Sequence, residues 1–125
     1  MSEIVGKCHC GKNKFTIKPE PEFQFICYCE SCRIINSGGH LCGILLDKCN
    51  FTEAQQTQIY TYDGGSGNSI VLHFCPTCAT HLYAYPTSFK DKVVIRANTL
   101  KDYAFKPQQH LFVESAFTWD KPTAL

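Results

Sequence analysis

Short runs of apolar residues, several of them alternating with polar ones, recur along the chain. They include Lys14-Phe15-Thr16-Ile17-Lys18, Phe23-Gln24-Phe25-Ile26-Cys27, Gln58-Ile59-Tyr60-Thr61-Tyr62 and Ile70-Val71-Leu72-His73-Phe74. Further runs are His81-Leu82-Tyr83-Ala84-Tyr85, Val93-Val94-Ile95-Arg96 and Leu111-Phe112-Val113. Each has the length and the β-branched or aromatic content of a strand. Between them lie turn segments such as Lys18-Pro19-Glu20-Pro21-Glu22, Asp63-Gly64-Gly65-Ser66-Gly67-Asn68 and Pro86-Thr87-Ser88. No window of ten residues keeps a helical period, so helix is confined to a turn or two over Glu30 to Ser37. The pattern predicts a mainly β fold with little helix. Trp119 and the aromatic strands are expected in its core.

At 125 residues the chain (1–125) has the size of a single domain, able to bury roughly two-thirds of its unfolded surface. Its net charge of +1 gives no basic face for phosphate backbones, so nucleic acid is not an expected partner. No segment has the apolar length of a membrane span, and the N-terminal residues do not form a signal peptide. A cytoplasmic location is therefore expected.

That expectation changes the reading of the nine cysteines. In a reducing compartment, clustered thiols bind metal or do chemistry more often than they pair. Cys8-His9-Cys10-Gly11 and Cys75-Pro76-Thr77-Cys78 each set two thiols on a tight turn. Together they supply four ligands and a closed zinc sphere, a structural site that staples distant segments. His9, between two of these ligands, should point away from the metal.

Cys27-Tyr28-Cys29-Glu30-Ser31-Cys32 is a different object, because three thiols on one loop leave a coordination position open. Catalytic zinc is held this way, and a thiolate-ligated metal suits an incoming thiol. Two zinc ions per chain are expected, one structural and one open. His40, Cys42 or Cys49 folding back would instead close the second site. His40 also stands as a candidate proton carrier, against a packing role; Cys42 and Cys49 otherwise read as small core residues. His73 and His81 read as strand or supporting residues, and Lys12 and Arg33 as solvated cations rather than carboxylate binders. Gly64-Gly65-Ser66-Gly67 lacks the lysine and helix of a phosphate loop and reads as a hairpin turn.

The order and spacing of Gly6-Lys7-Cys8-His9-Cys10-Gly11, Cys27-Tyr28-Cys29-Glu30-Ser31-Cys32-Arg33, Ser37-Gly38, Phe74-Cys75-Pro76-Thr77-Cys78, Ala97-Asn98-Thr99-Leu100-Lys101-Asp102 and His110-Leu111-Phe112-Val113 with Trp119 resemble the glutathione-dependent formaldehyde-activating enzyme family, which also contains centromere protein V. The resemblance implies a tent-like fold of antiparallel sheets. It implies a structural zinc on Cys8, Cys10, Cys75 and Cys78, and a second zinc on Cys27, Cys29 and Cys32. It further implies a carbon–sulfur lyase-type activity that joins formaldehyde to a small thiol, glutathione, to give S-hydroxymethylglutathione. The alternative is a non-catalytic zinc-stabilised interaction or thiol-binding module. Two positions depart from the family: Ala79 stands where glycine usually follows the Cys-Pro-x-Cys, and Tyr28 where histidine is frequent.

Overall fold

The computed structural model describes residues 3–122. A three-stranded sheet has the order β1-β2-β5, with β1 at Ile4–Lys7, β2 at Lys14–Ile17 and β5 at Phe51–Thr52. A seven-stranded sheet has the order β10-β3-β4-β9-β8-β7-β6. Its strands are β3 (Phe23–Cys27), β4 (Leu41–Asp47), β6 (Gln58–Asp63), β7 (Ser69–Phe74), β8 (His81–Pro86), β9 (Lys92–Arg96) and β10 (Gln109–Leu111). All pairings are antiparallel except β10 with β3, which is parallel and matches Leu111 to Cys27. The fold is mainly β, as its pattern predicts. Among the described residues no helix is long and apolar enough to cross a membrane.

Three strands exceed the expectation. β1 and β5 are short, and β4 lies between β3 and β9 at the middle of the large sheet. Its Leu41-Cys42-Gly43-Ile44-Leu45-Leu46 run is largely apolar because both of its faces are covered, which removes the alternation that marks a half-exposed strand. The C-terminal strand is also shifted: β10 ends at Leu111, and Phe112 turns into the left-handed region at φ 57°.

One core joins the two sheets. Phe15 and Ile17 of β2 pack with Ile44 and Leu46 of β4, Leu82 and Tyr83 of β8, and Val93 and Ile95 of β9. The rings of Phe15, Phe51 and Tyr83 meet edge to face at 4.7 to 5.8 Å, geometry that adds to burial. Gly6 makes the sheet packing close: it pairs with Phe15 across β1 and β2, and a β-carbon there would meet the Phe15 ring at 2.1 Å. Trp119, by contrast, is not core. It is 72% exposed and stacks on Phe117, because the C-terminal segment runs over the surface beside the α-helix at Glu30–Asn36.

Candidate metal centre

The first cysteine cluster sits at the seam between the sheets. Cys8 and Cys10 follow β1 of the small sheet, and Cys75 and Cys78 follow β7 of the large one. Their four Sγ atoms lie within 4.8 Å of one another, with Cys8 to Cys10 at 3.6 Å and Cys10 to Cys75 at 3.7 Å. A disulfide holds its sulfurs at about 2.05 Å, so these are separate thiols. A zinc–sulfur bond of about 2.3 Å gives a tetrahedral sulfur–sulfur edge of about 3.8 Å, and the spacing fits that ion.

Local backbone prepares these sulfurs for negative charge. The N–H of Asn13 donates to Cys8 Sγ at 3.3 Å, and the N–H of Cys10 donates to Cys78 Sγ at 3.4 Å. The Thr80 hydroxyl lies 3.2 Å from Cys78 Sγ. The Thr80 hydroxyl first, and then the Cys10 N–H, bring the Cys78 thiol down to about 5, since hydrogen bonds to the charged form favour it. Asn13, itself buried, exchanges hydrogen bonds with the Gln56 backbone and so ties the turn to the chain entering β6. The turn closes with the Ala79 N–H on the Cys75 carbonyl at 2.7 Å, and Ala79 adopts φ 67°. The alanine that departs from the family pattern therefore does occupy a left-handed position.

The second cluster is assembled by a strand end and a helix start. Cys27 is the last residue of β3; Cys29 caps α1 (Glu30–Asn36), its sulfur accepting the Cys32 N–H at 3.4 Å. Cap and third helical position face one another, so Cys29 and Cys32 converge and Cys27 completes the group. The three Sγ atoms lie within 4.8 Å. Hydrogen bonds from the Cys27 and then the Cys32 thiol bring Cys29 down to about 2, while Cys27 is pushed up to about 11 by Cys29, and Cys32 is pushed up by Cys27 and Cys29. Unaided, the three thiols oppose one another's full ionisation. A divalent cation removes that resistance, so the donor set fits a thiophilic metal.

His40, Cys42 and Cys49 do not join this group; among the described residues no fourth His, Cys, Asp or Glu lies within the same 4.8 Å. His40 Nδ1 is instead 2.6 Å from Asp120 Oδ2. Cys42 is half-buried on β4 and Cys49 is exposed, so neither is the core residue that its size suggests. The triad is more enclosed than an open site implies. Cys27, Cys29 and Cys32 are each 4 to 6% exposed, and the β6–β7 turn that reads as a plain hairpin lies on top of them. A β-carbon on Gly65 would meet Cys29 Cβ at 2.8 Å and Sγ at 3.0 Å, and Ser31 Oγ donates to the Asp63 carbonyl at 2.9 Å.

The remaining sequence candidates have other partners, although Arg33 Nε is buried without one. Arg33 lies over the Phe117 ring at 4.3 Å, Lys12 Nζ donates to Thr77 Oγ1 at 3.4 Å, and His73 Nδ1 meets Thr57 Oγ1 at 2.9 Å. Tyr28 is flanked by the His40 and His110 rings at 5.3 and 5.9 Å. A cavity of about 1070 Å³ opens between the end of α1, the start of β4, the turn at 79–81 and the segment 96–101, with His40, His81 and Arg96 in its wall. Sequence reasoning missed Arg96 and Asp120. The one local signal was an arginine closing the apolar run of β9.

Fold and site together define a mainly β domain with two cysteine clusters suited to metal. Residues 3–115 match the family model of the glutathione-dependent formaldehyde-activating enzyme, and the chain belongs to that family. A crystal structure of a Rhodobacter sphaeroides protein is similar in fold, with a TM-score of 0.62 and 18% identity over 80% of this chain and 90% of that one. Among curated proteins no match was found.

Proposed function

We propose that the chain is a zinc-dependent carbon–sulfur lyase-like enzyme that acts on a small thiol, glutathione, and formaldehyde to give S-hydroxymethylglutathione. In this reading Cys8, Cys10, Cys75 and Cys78 hold a structural zinc, while Cys27, Cys29 and Cys32 hold the working one. The observation that carries it is the triad: three converged sulfurs with no fourth ligand-bearing side chain within 4.8 Å among the described residues, in a chain of this family. Zinc held by three protein ligands supplies a Lewis acid with a position free for thiolate or aldehyde oxygen.

The chain's own residues supply the rest. Asp120 accepts Nδ1–H of His40, which leaves Nε2 of this cavity-lining residue as the acceptor for a thiol or hydroxyl proton. The Gly65 backbone covers Cys29 and keeps bulk water from the sulfurs. Holding thiol and aldehyde together then replaces an encounter in solution.

Exchange NMR of the glutathione–formaldehyde adduct tests the proposal: zinc-loaded protein should exceed the protein-free rate at the same pH, and Cys27→Ser or Cys32→Ser should abolish the excess while remaining folded. The enclosure of the triad favours a second reading, a zinc-stabilised interaction module without turnover. Absence of both zinc-dependent glutathione binding and rate excess would select it and refute the glutathione assignment, whereas zinc-dependent binding at the background rate would leave a thiol-binding module.

A further inference from the structure

Arg96 is a buried cation without a counter-ion. Its residue is 4% exposed, and both Nε and Nη1 lack any hydrogen-bond partner. Its one contact of this kind runs from Nη2 to the Tyr62 hydroxyl at 3.5 Å, the outer limit of a hydrogen bond. Burying a guanidinium unpaired is expensive, and such groups normally meet a carboxylate or phosphate. No such group is supplied by the walls of the cavity that Arg96 lines: they carry Lys7, Lys101, His40 and His81 but no aspartate or glutamate. The geometry is that of an anion site short of its anion.

Its position relates it to the triad. Leu41, in the same cavity wall, packs against Cys27, Cys29 and Cys32. The cavity wall and the sulfur cluster thus share a residue.

We propose that Arg96 anchors a carboxylate of the substrate, so that the cavity selects a thiol bearing a carboxylate over a neutral thiol. The inference rests on the thiol-handling reading of the triad and adds what that reading lacks, a specificity-determining group. A planar guanidinium takes a carboxylate in a paired fork, here through the free Nε–H or Nη1–H together with the second N–H of Nη2. Lysine, a point charge on a flexible stem, does not reproduce that fork.

Titration calorimetry on the zinc-loaded protein tests it with three probes. Glutathione carries thiol and carboxylates, glutathione diethyl ester keeps only the thiol, and S-methylglutathione keeps only the carboxylates. S-methylglutathione should bind the wild type, and should bind both R96M and R96K at least about 30-fold more weakly, the loss typical of a buried charge pair deprived of one partner. The diethyl ester should bind the wild type more weakly than glutathione by a comparable factor. R96M should melt no lower than the wild type without ligand, because it removes an uncompensated charge; R96K covers the case in which R96M misfolds. Equal affinity for ester and acid, no binding of S-methylglutathione to the wild type, or unchanged binding to the variants would overturn the anchor. Arg96-dependent binding of S-methylglutathione together with zinc-independent binding of glutathione would sink the metal–thiol reading and leave the anchor standing.

Discussion

Ala79→Gly should make the protein more stable. Ala79 sits at φ 67° at the close of the Cys75–Cys78 turn, held there by its N–H on the Cys75 carbonyl at 2.7 Å. A residue with a β-carbon pays about 1–2 kcal/mol for the left-handed region, and glycine removes that cost. The replacement also returns freedom to the unfolded chain, worth about 0.5–1 kcal/mol against folding. The net is a gain of about 0.5–1 kcal/mol, or about 2–5 °C in Tm for a chain of this size. The backbone N–H groups that contact the sulfurs are untouched, so metal content should not change. Denaturant unfolding of zinc-saturated protein, followed by far-ultraviolet circular dichroism, reads the difference. Asp102→Gly serves as the internal control: Asp102 has φ 60°, but aspartate tolerates this region better than alanine, so the gain there should be smaller. A variant at Ala79 that is equal to or weaker than the wild type would refute the reasoning, because the turn would then be held by something other than the strain assigned to it.

Two further outcomes follow from the clusters. Cys75→Ser should lower the melting temperature far more than Cys29→Ser, since the first breaks a seam between segments distant in sequence and the second disturbs a loop that is local; melts showing equal collapse would count against separate roles. Gly65→Ala should cost about 1–3 kcal/mol by overpacking, because its new carbon meets Cys29 at 2.8 to 3.0 Å. Elemental analysis should then show less metal at the triad with the tetrad still filled, and full metal content with unchanged stability would show that the loop does not bear on Cys29.

The two cysteine pairs and the triad were legible because each is made of near neighbours, and zinc's need of four ligands joined the pairs across 65 positions. Cys75 and Cys78 share one turn, and the cap geometry of α1 brings Cys29 to Cys32; spacing alone carries such information. The alternating strands were legible for a similar reason, each declaring its own half-buried face. β4 was hidden because, packed on both sides, it has no polar face to show. Relations across the chain leave no local trace at all: Asp120 meets His40 across 80 positions, and the isolation of Arg96 depends on what β4, β8 and the 96–101 segment fail to place beside it. The Gly64–Gly67 turn looked like connection only, since its role over Cys29 arises from where the β6–β7 hairpin lands.

Placing one cluster across the two sheets also sets a timetable on the ribosome. Cys10 and Cys75 are 65 positions apart. At about 5–20 residues per second, translation therefore leaves the first half of the tetrad waiting about 3–13 s for the second. The triad, complete within one short stretch, emerges whole and well before that. If both clusters take metal as proposed, the nascent chain offers its local trio first and closes the seam last, with Cys8 and Cys10 open in the interval to oxidation or to a wrong metal.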